Sequence, residues 1–139
     1  MNISERAHEF LSRTQVCVLA TTGPGNSPHA VPMWYGYRDG VITITTWRES
    51  QKCRNVERTG KAMVVVDRRD PPYYAVMVKG DAEIGPALSR DEQCEMAFRY
   101  LGPDGIDEFM AYVDESDASG QSGATIVIRP TRIIEYPGD

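Results

Sequence analysis

TITTWRESQKCRNVER, residues 43–58, holds a strand, a turn and the start of a helix. Thr43, Ile44, Thr45 and Thr46 are all β-branched and read as a strand. Trp47-Arg48-Glu49 turns the chain. Ser50 is then placed to cap a helix, its hydroxyl accepting from free N–H groups of the first turn. Such a helix start attracts anions through those N–H groups and its dipole. Lys52 and Arg54 lie in the first turn, with Arg48 before the cap and Arg58 a turn later. Cys53 and Val56, three apart, can face a core while the cations stay outside. Threonines at a strand end, a serine cap and clustered cations read as a phosphate site. A solvated basic surface helix is the alternative that these residues alone leave open.

Upstream, VCVLAT (16–21) reads as a strand and GPGN (23–26) as a turn. HAVPMWYGYR (29–38) reads as one further strand, with Pro32 marking an edge or a bulge. Asp39-Gly40 is a two-residue hairpin signal. The return strand, 41–46, is therefore expected to pair back onto 33–37. That hairpin sets Pro32, Met33, Trp34 and Tyr35 beside the strand end leading to Ser50. His29, at a strand start, reads as a structural hydrogen-bonding residue. Nearer the N-terminus, Ser4 can cap a short helix carrying Ala7, Phe10 and Leu11.

Downstream, the helix over 50–59 is expected to stop at Gly60. AMVVV (62–66) is apolar throughout and predicts a strand buried on both faces. After a loop over 68–72, residues 73–84 read as a long strand, with Gly80 marking a bulge or a close backbone approach. Ser89 and Glu92 form a capping box, and Cys94, Ala97, Phe98 and Leu101 predict the buried stripe of the helix that follows. Ile106, Phe109, Met110 and Val113 repeat that spacing. The polar run 114–123 reads as a loop. Two closing strands, 124–128 and 132–136, are expected with Pro130 breaking between them. About seven hairpin-linked strands and three or four helices, without repeats, predict a mainly β fold: one antiparallel barrel domain with peripheral helices.

The 139 residues are 41% hydrophobic and 25% charged, with a net charge of -5, which argues against nucleic acid or an anionic membrane as the main partner. No apolar run reaches the roughly 18 residues of a membrane span, and the first residues lack the apolar segment of a secretory signal. Cys17, Cys53 and Cys94 are odd in number and far apart, so they read as buried thiols of a cytoplasmic protein. They form no metal-ligand pattern with His8 and His29. There is no GxGxxG, Walker or GxSxG motif, and no spaced pair of carboxylates within an apolar strand. No catalytic acid or base is therefore assigned, which fits chemistry carried by a cofactor, or no chemistry.

Several of these motifs together resemble the flavin and deazaflavin oxidoreductases of the split β-barrel superfamily, similar in fold to pyridoxamine 5′-phosphate oxidase. They are the LAT strand, P-H-x-x-P-x-W over 28–34, T-x-x-x-S-x-K-x-R-N over 46–55, and V-x-G-x-A-E at Val78, Gly80, Ala82 and Glu83. The nearest likeness is to the group that uses the deazaflavin coenzyme F420. The resemblance implies an FMN-binding split β-barrel and hydride transfer between reduced coenzyme F420 and a small organic substrate. It places the cofactor in a groove of a homodimer. An FMN-dependent oxidase or reductase of the same fold is the first alternative, and a non-catalytic flavin- or haem-binding protein the second. Ser50, Lys52 and Arg54 match phosphate-holding positions. Gln51, Asn55 and Thr46 join the implied cofactor-binding set, and Pro32, Met33, Trp34 and Tyr35 match the strand along the ring system. Tyr73 and Tyr74 are candidates for reaching a partner's site. Thr59-Gly60-Lys61 stands where the family commonly has Asp-Pro-Arg. Residues 85–123 match nothing in the pattern and are expected to shape the substrate pocket.

Overall fold

A computed structural model of the chain describes residues 2–137. Seven antiparallel strands form one curled half-barrel sheet in the order β2-β1-β5-β6-β7-β4-β3. In chain order the strands are β1 (Val16–Thr22), β2 (Pro28–Trp34), β3 (Gly36–Arg38), β4 (Val41–Trp47), β5 (Lys61–Arg68), β6 (Tyr74–Gly85) and β7 (Gly123–Tyr136). The helices are α1 (Glu5–Leu11), α2 (Gln51–Thr59), α3 (Arg90–Leu101) and α4 (Ile106–Ala118). Period-two alternation fills the inside of the curl: Cys17 and Leu19, Ile42 and Ile44, Val64 and Val66, Val76 and Val78, Ile126 and Ile128 are all buried. From α1, Ala7, Phe10 and Leu11 join this core, as do Cys53 and Val56 from α2.

The serine caps act as their sequence contexts predict. Ser4, Ser50 and Ser89 each accept a backbone N–H through the side chain, and Ser89 with Glu92 completes a capping box. Gly60 ends α2 in the left-handed region at φ 66, and Asp39 and Gly40 both have positive φ, as a tight β3–β4 turn of primed type requires.

Five expectations are corrected. The span 29–38 is two strands, broken at Tyr35. Met33 and Trp34 pair with Cys17 and Val16 of β1, and only Gly36–Arg38 pair back onto β4. The break arises because the Tyr35 N–H donates to the Tyr100 hydroxyl, 3.0 Å away, and to no strand. β5 is buried on one face only: Met63 and Val65 point outward and stay half-exposed. In α3 the buried residues are Met96 and Ala97, while Phe98 and Leu101 are 55% and 46% exposed. That helix is turned so that Tyr100 meets the barrel. The first half of the polar run 114–123 is helix, since α4 continues to Ala118, with Asp114 paired to Arg90 and Ser116 buried.

The fifth correction explains a proline. β7 runs unbroken through Pro130, which lies opposite Gly80 where the β6–β7 register shifts. At that irregularity the missing proline N–H costs the ladder little. The strands approach so closely that a Cβ on Gly80 would lie 2.5 Å from the Arg129 carbonyl oxygen and 2.8 Å from an Ile128 methyl. Gly80→Ala is therefore expected to lower stability by about 2–3 kcal/mol. Urea unfolding checks this; a loss below about 0.5 kcal/mol, the scale of an ordinary surface change, would mean that the two strands are free to separate there.

Candidate functional site

A cavity of about 630 Å³ opens between the β2 edge, the end of β4, the start of α2 and the α3–α4 pair. Pro32, Met33 and Trp34 form one wall, and Thr45, Thr46 and Trp47 from β4 form the next. Lys52 enters from α2, while α3 and α4 supply the remaining wall, chiefly Arg90, Met96, Phe109, Tyr112 and Asp117. Residues 85–123 thus do shape the cavity.

Trp34 is held in this surface by two aromatic contacts. Its ring stacks on Tyr100 with centroids 4.5 Å apart and planes 6° from parallel, and Phe109 lies 5.5 Å away at 31°. The Tyr100 hydroxyl accepts from the Tyr35 N–H and donates to the Gln15 carbonyl at 2.6 Å. One phenol therefore ties α3 to two segments of the barrel more than sixty residues away in sequence. Burial raises the Tyr100 pKa, so the phenol keeps its proton and its donor role through neutral pH.

The cations around α2 fall into distinct groups. Arg48 forms a two-pronged ion pair with Glu57 at 2.8 and 2.9 Å, and Lys61 pairs with Asp81. Arg54 donates to the Glu49 carbonyl at 2.7 Å and Arg58 to the Thr22 carbonyl, both outside the cavity. Lys52 alone among them lines it, half-buried and without a hydrogen bond or ion pair among the described residues. The first intrahelical bond of α2 runs from the Arg54 N–H to the Ser50 carbonyl. The N–H groups of Gln51 and Lys52 precede it and so have no intrahelical acceptor.

Of the ten residues singled out in sequence, Pro32, Met33, Trp34, Thr46 and Lys52 line the cavity. Ser50 holds the helix start beside it, accepting from the Cys53 N–H at 3.4 Å. Gln51 donates to Asn55 at 2.7 Å, and Asn55 donates to the Thr21 hydroxyl at 3.0 Å, so this chain fastens α2 to β1. Asn55 is fully buried, and Tyr35 is 1% exposed with its hydroxyl donating to the Leu11 carbonyl at 2.8 Å. The structure gives both to the scaffold and neither to the cavity. Arg54 is exposed. Tyr74 is buried against Phe10 and donates to Glu135, while Tyr73 is exposed. His29 departs from its expected structural bond: its Nδ1 is buried with no partner among the described residues.

Sequence reasoning missed Tyr100, Phe109, Trp47 and Asp117. Met96, Ala97 and Tyr100 at i, i+1 and i+4 were a legible second stripe on α3. Among the described residues, no group of three or more His, Cys, Asp or Glu could hold a metal ion. No helix there is long and apolar enough to cross a membrane.

Against known proteins, the profile of the pyridoxamine 5′-phosphate oxidase family matches residues 3–134. The chain belongs to that family. Among solved structures it is similar to an F420 reductase: 25% identity, TM-score 0.74, covering 95% of this chain and 98% of that one. It is also similar to a conserved hypothetical protein from Mycobacterium tuberculosis (27% identity, TM-score 0.73, 97% and 85% covered). A FAD-binding protein from Mesorhizobium loti shares the fold at 19% identity and TM-score 0.64, with 96% and 92% covered. No curated protein matches. The fold is thus the split β-barrel, within a family of flavin-type oxidoreductases.

Tyr100→Phe keeps the ring and removes the hydroxyl, leaving the Tyr35 N–H without its partner. It is expected to cost about 1–3 kcal/mol of stability and to shift the Trp emission as Trp34 loosens. Urea unfolding with fluorescence detection checks both. Unchanged stability and spectrum would mean that the hydroxyl does not hold α3 to the barrel.

Proposed function

We propose that the chain transfers a hydride between reduced coenzyme F420 and a small organic substrate, with the cofactor seated in the cavity beside α2. One observation carries this reading: an uncompensated lysine faces the same cavity as a flat, rigidly backed indole. Lys52 and the open α2 start suit the phosphate of a flavin-type cofactor, and the Trp34 wall suits its planar ring. When bound, the deazaflavin supplies two-electron hydride chemistry. The chain's residues bind and orient. Lys52 fixes the anionic end, Ser50 keeps the helix start in place, Met33 and Trp34 set the ring plane, and Phe109 and Met96 exclude water from the facing space. Likeness to an F420 reductase across nearly the full length of both chains supports the deazaflavin over other flavins.

One observation favours FMN as the second reading. Arg48 and Lys61 are already neutralised by Glu57 and Asp81, which leaves less free charge for a long polyglutamate tail. We further infer a homodimer. Its support is the apolar outer face of the sheet, where Val16 is 51% exposed and Met63, Val65 and Met77 are half-exposed. The three free cysteines support a reducing, cytoplasmic setting.

Lys52→Ala tests the phosphate assignment, because Lys52 has no hydrogen bond or ion pair among the described residues and its loss should leave stability nearly unchanged. Affinity for coenzyme F420 is expected to fall at least about tenfold, equivalent to about 1.4 kcal/mol. Equal affinity in the two proteins, measured by calorimetry, would remove Lys52 from the site.

A further inference from the structure

We propose that the α3–α4 side of the cavity selects flat aromatic substrates that carry no negative charge, organic cations above all, and that Asp117 is the specificity-determining residue. This rests on the cofactor reading above, which gives Lys52 to an anion.

The first observation is the distribution of charge. Residues 85–123 hold nine Asp and Glu against two Arg, although the whole chain has a net charge of only -5. The rest of the chain has a small surplus of cations, so the acidity belongs to the segment that walls the cavity. The second is what that wall exposes. Its charged lining groups are Arg90 and Asp117. Both ends of the Arg90 guanidinium are held by Asp114, at 2.8 and 3.2 Å, so Arg90 is a poor receptor for a substrate anion. That pairing also lowers the Asp114 pKa and keeps the carboxylate ionised at neutral pH. Asp117 feels the charge of Arg90 but makes no hydrogen bond or ion pair among the described residues. It sits in the last turn of α4, where the helix dipole adds to its negative charge. At the start of α3 the capping box has already taken two backbone N–H groups, and Asp91 and Glu92 offset the positive end of that dipole.

With an anionic cofactor on Lys52, Arg90 faces both Asp114 and the exposed Asp117, so this side of the cavity keeps one net negative charge. The surfaces around it are flat and apolar. Phe109 lies against Trp34, and Tyr112 lies 6.3 Å from Trp47 with the rings tilted by 54°. An aromatic cation gains contact with these rings and the attraction of Asp117. An aromatic carboxylate meets repulsion from Asp117 and from the acidic helices around the mouth.

The test uses two tricyclic probes of similar size, the 9-aminoacridinium cation and the anthracene-9-carboxylate anion, titrated by calorimetry into protein loaded with coenzyme F420. The cation should bind at least tenfold more tightly. Asp117→Asn should narrow that gap threefold or more, as should raising the salt from 0.05 to 0.5 M. Asp104→Asn removes an acidic charge from the turn between α3 and α4, away from the lining, and should change the gap less than twofold. Equal or tighter binding of the anion overturns the proposal, and so does an Asp104→Asn effect as large as that of Asp117→Asn. Loading is measured first. If coenzyme F420 does not bind, the cofactor reading fails, and the same probes titrated into Lys52→Ala still decide the selectivity.

Discussion

The site depends on where Tyr35 stands. It is the single residue between β2 and β3, and its side chain is drawn into the core, where the hydroxyl meets the Leu11 carbonyl. That commitment turns the backbone N–H out of the sheet and toward Tyr100. An unpaired backbone N–H is costly, so the Tyr100 phenol both satisfies the break and fixes α3 against the barrel. Stacking of Trp34 on Tyr100 then follows, and with it the plane of the cavity wall. The strand break, the α3 wall and the flat face of Trp34 all meet at this one buried tyrosine and its partner Tyr100.

The second organising feature is a separation of charge across a small cavity. Most of the basic residues near α2 are engaged: Arg48 with Glu57, Lys61 with Asp81, and Arg54 and Arg58 with backbone carbonyls. Lys52 keeps its charge facing the cavity, and Asp117 does the same from α4. The two do not pair with each other. Exposed ion pairs of the Arg48–Glu57 kind add little stability. Their effect here is on local charge: they neutralise Arg48 and Lys61, so that Lys52 is the cation lining the cavity while Arg54 and Arg58 keep their charge outside it.

Much of the scaffold was legible because its signals are local. β-branched runs gave the strands, serine caps gave three helix starts, and Gly60 and Gly80 marked a stop and a bulge. The errors came where distant residues decide. Nothing around Tyr35 signals a break, because its cause is a hydroxyl 65 residues away. Pro130 would end a strand on its own, yet it continues β7 because Gly80 faces it across a register shift. Two apolar stripes compete on α3, and the stacking of Trp34 on Tyr100 determines which one faces inward. The same division holds for the lining of the cavity. Lys52, Trp34 and Thr46 were found from a local motif. Asp117 and Phe109 were not, because α4 reaches the cavity only through the tertiary fold. Asn55 and Tyr35 sit within the family pattern, and the fold uses them as fasteners.

Seating of a flavin-type cofactor between Lys52 and Trp34 is tested most directly by titrating coenzyme F420 and FMN separately into the purified protein while following tryptophan emission. A dissociation constant for F420 in the micromolar range or tighter, with strong quenching and much weaker FMN binding, is the expected result. Preference for FMN would contradict the deazaflavin assignment while leaving the site in place. Binding of neither would contradict the site itself.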